Sequence, residues 1–317
     1  MSNSVKGQVV LITGAARGIG AETARVLAGR GARLSLVGME PDRLRALADE
    51  LNGGALGSSA THVWFEADVT DQAAIDAAVA ATVDALGGID VVVANAGVSN
   101  IGTVALGAPD ALVRTIDVNL NGVVRTVSAA LPHVIERKGY VLVVASLASF
   151  TVLPGMAAYC ASKAGAEAFA NVLRLEVAHR GVKVGSAHPG WIDTDLVRDI
   201  EADLGSFKAV RSDLPGPLGA TTSVGECATA FADGIARRKR RVYVPRSVGV
   251  VQALRTLIVG PIADKVIGRQ ARVTVPKMEA EVTALGRSFG QTTVGMGGHE
   301  QVTVDQADAR RAARSDG

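Results

Sequence analysis

Residues 9–20 of this 317-residue chain read Val-Val-Leu-Ile-Thr-Gly-Ala-Ala-Arg-Gly-Ile-Gly, and this stretch constrains the fold more than any other. The apolar, β-branched run has the length of a strand buried on both faces. It ends in a Gly-rich turn, and a helical pattern starts at once. Gly14 lets the chain turn sharply at the strand's end. Gly18 lets a ligand come up to the backbone, and Gly20 lets the next helix lie close on the sheet. The helix's first turn offers unpaired N–H groups and a positive dipole end, which suit a pyrophosphate. The spacing is G-x-x-x-G-x-G, not the commoner G-x-G-x-x-G. Taken alone, the motif leaves open a turn without a ligand.

The pattern of the first strand and helix repeats along the chain. Strands are expected at 9–12, 33–37, 62–67, 89–94, 140–145, 182–187 and 241–244. Helices are expected at 19–29, 41–51, 71–86, 109–137, 157–180 and 224–238. Strands alternating with helices of this length imply an α/β fold. The sheet would be parallel and doubly wound, Rossmann-like, with helices on both faces. Thr13, Asp68, Asn95, Ser146 and His188 all fall just past strand ends, where such sheets bind ligands. Residues 1–246 read as one catalytic domain, 247–286 as a C-terminal helical extension and 287–317 as a disordered tail.

Composition narrows the function. Hydrophobic residues make up 48% of the chain and aromatics only 3%, so Ala, Val, Leu and Ile must pack the core. A net charge of +2 argues against a nucleic-acid binder. Two cysteines, Cys160 and Cys227, support neither a disulfide framework nor a Cys-based metal site. No metal ligand set is visible. His188 lacks partners at ligand spacing and reads as a packed or hydrogen-bonded histidine. The polar first eight residues lack the apolar core of a secretion signal, which makes a reducing cytoplasm the expected location.

A second constellation carries chemistry. Tyr159 and Lys163 are four apart on an expected helix and share one face, and Ser146 ends the fifth strand. A phenol with a pKa near 10 is a poor acid–base group at neutral pH. A neighbouring lysine cation favours the phenolate and lowers that pKa, and a cationic nicotinamide would lower it further. The phenol can then give a proton to a ketone oxygen or take one from an alcohol, while the serine hydroxyl holds that oxygen. The flanks of Ser146 lack the G-x-S-x-G elbow of a serine hydrolase.

With both constellations in hand, the chain resembles the short-chain dehydrogenase/reductase family over about 7–244. The resemblance rests on TGAARGIG at 13–20, Asp68 in ADVT, NAG at 95–97, Asn119, Ser146, YCASK at 159–163 and PGWIDT at 189–194. It implies an oxidoreductase that moves hydride between a nicotinamide and a carbonyl carbon. It implies Tyr159 as general acid/base, Ser146 as the group that orients the carbonyl, and Lys163 as the cation that lowers the phenol pKa and binds the ribose. Asn119 would hold a water in a proton relay from Lys163. Gly14, Arg17, Gly18, Ile19 and Gly20 would hold the pyrophosphate end. Asp68 and Val69 would meet the adenine. Asn95, Ala96 and Gly97 would line the cofactor at the sheet centre. Pro189, Gly190, Ile192 and Thr194 would hold the nicotinamide side, with the Ile192 backbone and the Thr194 hydroxyl on its carboxamide.

The acidic residue that ends the second strand in many NAD-preferring members is replaced here by Gly38, followed by Met39 and Glu40. Arg17 is placed to meet a 2′-phosphate. The reading favours NADP(H). NAD(H) is the alternative, with Glu40 on the ribose diol. A non-catalytic dinucleotide-binding sensor or scaffold is the rival reading. It would normally have lost Ser146, Tyr159 or Lys163, and all three are present. Dehydratase or epimerase chemistry would call for a nucleotide-sugar pocket, of which the sequence gives no sign.

Substrate and partners are read from the remaining segments. Residues 196–223, Gly/Pro-rich at 215–219, are expected to form a lid. Phe150, Val152, Leu153, Met156, Trp191 and Leu196 suggest an apolar pocket for a small hydrophobic carbonyl or alcohol. A helix at 247–269 follows the basic run 237–241. It is expected to cover the body or pair with another subunit, with peripheral contact to an anionic membrane across 237–269 as the alternative. The resemblance implies a homodimer or homotetramer through 109–137 and 157–180.

Overall fold

The seven apolar runs form the seven strands of one parallel sheet. They are β1 (Val9–Thr13), β2 (Arg33–Gly38), β3 (Val63–Glu66), β4 (Val91–Ala94), β5 (Tyr140–Val144), β6 (Lys183–Pro189) and β7 (Arg241–Val244). The computed structural model describes residues 4–53, 60–100, 102–212, 219–287 and 290. The strand order is β3-β2-β1-β4-β5-β6-β7. Val10 lies beside Leu34 of β2 on one side and Val91 of β4 on the other. The order therefore reverses between β1 and β4, and this switch point opens a crevice beyond the strands' carboxyl ends.

Alternation along each strand builds two cores. Val10, Ile12, Leu34 and Leu36 face α1 (Gly18–Gly29), α2 (Pro41–Asn52) and α9 (Val224–Ala236), where Leu27, Leu44, Leu51 and Phe231 complete one cluster. Leu11, Val92, Val141 and Val143 face α3 (Gln72–Leu86), α5 (Gly122–Glu136) and α6 (Ala157–Glu176), with Ile75, Val79, Val134 and Leu173. Local chemistry sets the helix starts. Pro41 opens α2. The Asp71 carboxylate accepts from the Ala73 and Ala74 amides ahead of α3. Ser223 and Glu226 form a reciprocal capping box on α9.

Three segments depart from expectation. The helix expected at 109–137 is α4 (Pro109–Ile116) and α5, joined by a π-helical turn, Asp117–Asn121. The expected lid carries α7 (Asp195–Asp203) and α8 (Gly205–Ser212), whose Ile200 and Phe207 are buried. The segment after β7 is three helices rather than one: α10 (Val248–Ala253), α11 (Arg255–Ile258) and α12 (Pro261–Leu285). Gly260-Pro261 restarts the chain into α12, which continues past 269 and through Pro276. An internal proline costs roughly 3 kcal/mol. Burial of Met278 and Val282 against α7 and α8 works against that cost. Residues 213–218 of the lid and 288–289 and 291–317 of the tail lie outside the described residues, as do 54–59 of the Gly/Ser-rich 52–60 loop.

Candidate active site

The carboxyl ends of β1 to β6 border one cavity of about 210 Å³. Its walls include Gly14 after β1, Gly38 to Glu40 at β2, Asp68 and Val69 after β3, Asn95 to Gly97 after β4, and Pro189 at the end of β6. The turn after β1 is built for close approach. Gly14 has φ +65°, and a Cβ there would press on the Ala96 backbone. Gly20 leaves no room for a side chain against the Gly14 carbonyl. The Asn95 amide holds the turn by donating to the Thr13 and Gly14 carbonyls at 3.0 and 3.2 Å. The cradle, its helix N-terminus and the acidic and basic side chains at its far end fit a nicotinamide dinucleotide.

At that far end, the Asp68 carboxylate accepts from Arg114 at 2.7 Å and from the Thr70 amide at 2.9 Å. Burial pushes its pKa up, but these hydrogen bonds outweigh it and hold the carboxyl below its usual range. Arg114, Met39 and Val118 also line the cavity. Sequence reasoning missed Arg114 and Val118, which α4 and the π-helical turn bring to the cavity only in the folded chain, whereas Met39 follows β2 as the sequence indicates. The Arg17 guanidinium lines the cavity too, but it is ion-paired with Glu40. Its Nε donates to the carboxylate at 2.8 Å, and Arg43 approaches the same carboxylate at 3.2 Å.

The proton-handling groups converge at the other end. Lys163 is buried, and its ammonium donates to the Val144 carbonyl at 3.0 Å. It lies 5.8 Å from the centre of the Tyr159 ring. Burial lowers its pKa to about 8. The Tyr159 phenol departs from the expected direction. Burial raises its pKa, and a hydrogen bond from Ser146 only partly opposes that. Enclosure of the phenol decides the direction, and the neighbouring Lys163 ammonium is itself buried and hydrogen-bonded to the Val144 carbonyl. Asn119 sits in the π-helical turn. Its amide is engaged with the Val98 backbone at 2.8 and 2.9 Å and with the Ser162 hydroxyl at 3.1 Å. A Cβ on Gly97 would lie 3.2 Å from the Asn119 Oδ1 and 3.3 Å from the Lys163 Nζ, so the two side chains meet across that glycine.

A second cavity, of about 50 Å³, adjoins the first. Ser146, Leu153, Met156, Tyr159, Gly190, Trp191 and Leu196 line it, joined by Ser99, Val197 and Ile200. Tyr159 borders both cavities. Two expected pocket residues are elsewhere. Phe150 packs with Val248 and Val251 of α10, and Val152 is exposed. Ile192 is buried and bridges to Thr222, while Thr194 lines the large cavity. His188 is packed, as the sequence suggests. Its ring lies between Phe150 and Tyr243. Nδ1 donates to the Ser146 carbonyl at 3.3 Å, which leaves Nε2 to accept from the Ser186 hydroxyl at 2.9 Å.

The short chain dehydrogenase family model matches residues 8–205. The chain belongs to the short-chain dehydrogenase/reductase family. A dehydrogenase/reductase SDR family member 7B from Mus musculus is 32% identical over 81% of this chain and 79% of its own. A trans-4-hydroxycyclohexanecarboxylate dehydrogenase from Sinomonas cyclohexanicum is 33% identical over 65% of this chain and 81% of its own. Among solved structures, an alcohol dehydrogenase from the archaeon Thermococcus sibiricus, complexed with 5-hydroxy-NADP, aligns with a TM-score of 0.63. It is 28% identical and covers 74% of this chain and 94% of that one. As a short-chain dehydrogenase/reductase, this chain is an oxidoreductase of a family acting on alcohols, built to hold a nicotinamide dinucleotide.

Proposed function

We propose that the protein interconverts a neutral, apolar ketone or aldehyde and its alcohol, using NADP(H) in preference to NAD(H). One observation carries the reading: Tyr159 is the wall shared by the cradle beyond the glycine turn and a small apolar chamber that also contains Ser146. A bound nicotinamide dinucleotide supplies or accepts the hydride. Ser146 donates a hydrogen bond to the substrate oxygen and stabilises its growing charge. Tyr159 gives that oxygen a proton in reduction and takes it back in oxidation. Lys163, with a pKa near 8, stays mostly protonated at pH 7 and holds positive charge beside the phenol. Its meeting with Asn119 across Gly97 supports a proton path from Lys163 past Asn119. The chamber's lining of Leu153, Met156, Trp191, Leu196 and Ile200 supports an uncharged substrate.

Tyr159→Phe tests the mechanism. The variant is expected to lose roughly 10²-fold or more in kcat, as for a lost general acid, and to keep dinucleotide affinity. Unchanged turnover would remove Tyr159 from the reaction.

The partner readings rest on surface features. Val113 on α4 and Val172 and Leu175 on α6 are exposed apolar residues, which supports pairing of two copies through these helices. Light scattering of the purified protein tests that. Val250, Leu254, Leu257 and Val259 are exposed beside Arg255, which supports peripheral contact of α10 and α11 with an anionic bilayer. Co-sedimentation with phosphatidylserine vesicles tests it. Among the described residues no helix is long and apolar enough to cross a membrane.

A further inference from the structure

Close to the substrate chamber lies a buried polar side chain without a partner. Asn100, in the loop after β4, is 2% exposed, and neither its carboxamide oxygen nor its nitrogen has a hydrogen-bond partner. A buried amide left unpaired destabilises a fold, because it has given up water and gained nothing. Leucine has nearly the same shape and would carry no such cost. An amide kept here against that cost points to a partner that the described side chains do not supply.

The surroundings indicate what kind of ligand. Asn100 borders a small space of about 10 Å³, room for one water-sized group, walled by Gly102, Gly155, Leu204, Phe207 and Met278. This space adjoins the substrate chamber, since Met156 and Ile200 line both. Ser99, the residue before Asn100, lines the chamber itself. Among the described residues, no charged side chain borders the small space. Its outer wall is adaptable. Met278 comes from α12, and its thioether lies where a Cβ on Gly155 would be. Gly155 has φ +83°, so both its conformation and the missing side chain favour glycine. A methionine changes rotamer at little cost and can give way to an incoming group.

We propose that Asn100 is a specificity-determining residue that takes a second, neutral oxygen function, a hydroxyl or a carbonyl, at the far end of an otherwise apolar substrate. This rests on the proposed function, in which the reacting oxygen sits at Ser146 and Tyr159. A carboxamide can accept from a hydroxyl and donate to a carbonyl, so one residue serves both the alcohol and the ketone of such a group. The apolar walls around it reject a charged substituent.

Steady-state kinetics with matched ketones tests the proposal. The probes are 4-alkylcyclohexanones of one to four side-chain carbons, each paired with the analogue bearing a terminal hydroxyl. Wild type, Asn100→Leu and Asn100→Ser are compared, with Tyr159→Phe as the chemical control. Wild type is expected to favour the hydroxylated partner on the order of 10-fold or more in kcat/KM at one chain length. Asn100→Leu is expected to bring that ratio to near one while keeping turnover of the alkyl ketone, and to raise the thermal midpoint by about 2–4 °C. Asn100→Ser should fall between them. A ratio within one protein is insensitive to the fraction folded. Equal values in wild type at every chain length, or an unchanged ratio in Asn100→Leu, overturn the proposal. Turnover that Tyr159→Phe abolishes, without any hydroxyl preference, overturns this proposal alone. No turnover of any ketone by wild type overturns the proposed function as well.

Discussion

Burial pushes three groups of the active site toward their neutral forms. It raises the pKa of Tyr159 and lowers those of Lys163 and His188. The His188 shift has a consequence for stability. Its ring is locked by a donated bond to the Ser146 carbonyl and an accepted bond from Ser186. A second ring proton would face the Ser186 hydroxyl proton. Glu167 favours the charged ring and Arg241 disfavours it, and burial decides the sign. An unfolded histidine titrates near 6.5. The folded value is lower, so the unfolded chain binds the extra proton first as pH falls. The stabilisation is complete above about pH 6.5 and is lost as pH drops toward the folded value, at about 1.4 kcal/mol per pH unit between the two. Urea unfolding of wild type at pH 7.5 and 5.5 should show that loss, and His188→Gln should show less of it. His62 shifts in the same direction, so only the difference between the proteins reports on His188. Equal pH dependence in the two would sink the argument. The motifs at this scale were legible because the glycine turn, Asp68, Asn95 and Ser146 fall at strand ends that the apolar runs mark, and Tyr159 and Lys163 share one face of a helix. The Arg17 pairing was not, because it depends on how α2 leaves β2.

The elements least visible in the sequence are the ones that close the substrate chamber. The Gly/Pro-rich character of 196–223 suggested a lid without predicting α7 and α8, whose burial depends on a partner far along the chain. That partner is α12. Val282 and Met278 pack on Ile200, Leu204 and Phe207. The Glu281 carboxylate accepts from the Ser206 amide at 3.1 Å and its hydroxyl at 2.5 Å. Ser206 lies in the first turn of α8, so the carboxylate satisfies orphan donors and complements the helix dipole. Arg287, just past α12, pairs with Asp203 at 2.5 Å. Glu281→Ala removes the α8 contacts and leaves a half-buried amide unpaired, at about 1–3 kcal/mol. The loss should appear as local opening of α7 and α8 more than as global unfolding. Limited proteolysis should cut within 196–212 faster, and KM for a ketone should rise with kcat less affected. Proteolysis at the wild-type rate would mean that apolar packing alone holds the lid.

At the scale of the molecule, the parallel sheet was legible from alternation alone, because buried strands and crossover helices leave few other topologies. The balance of charge at the cofactor's far end was not, although it bears on which dinucleotide binds. Arg17 and Arg43 converge on the single carboxylate of Glu40 at the cavity mouth. Around the Glu40 carboxylate itself, two cations face one anion. A 2′-phosphate can share Arg17 there, at the expense of the Glu40 pair, whereas a ribose diol gains only the carboxylate. A ligand that binds only the folded chain stabilises it by about 2.7 kcal/mol at 100 times its Kd, or roughly 5–10 °C in thermal midpoint. NADP⁺ is therefore expected to raise the midpoint more than NAD⁺ at equal concentration. Glu40→Gln frees Arg17 and should widen the difference, while Arg17→Ala should erase it. The readout needs no substrate and no turnover, so it tests the rim independently of the chemistry at Tyr159. A larger shift with NAD⁺, unaltered by Arg17→Ala, would mean that Glu40 selects the ribose diol and that Arg17 only orients it.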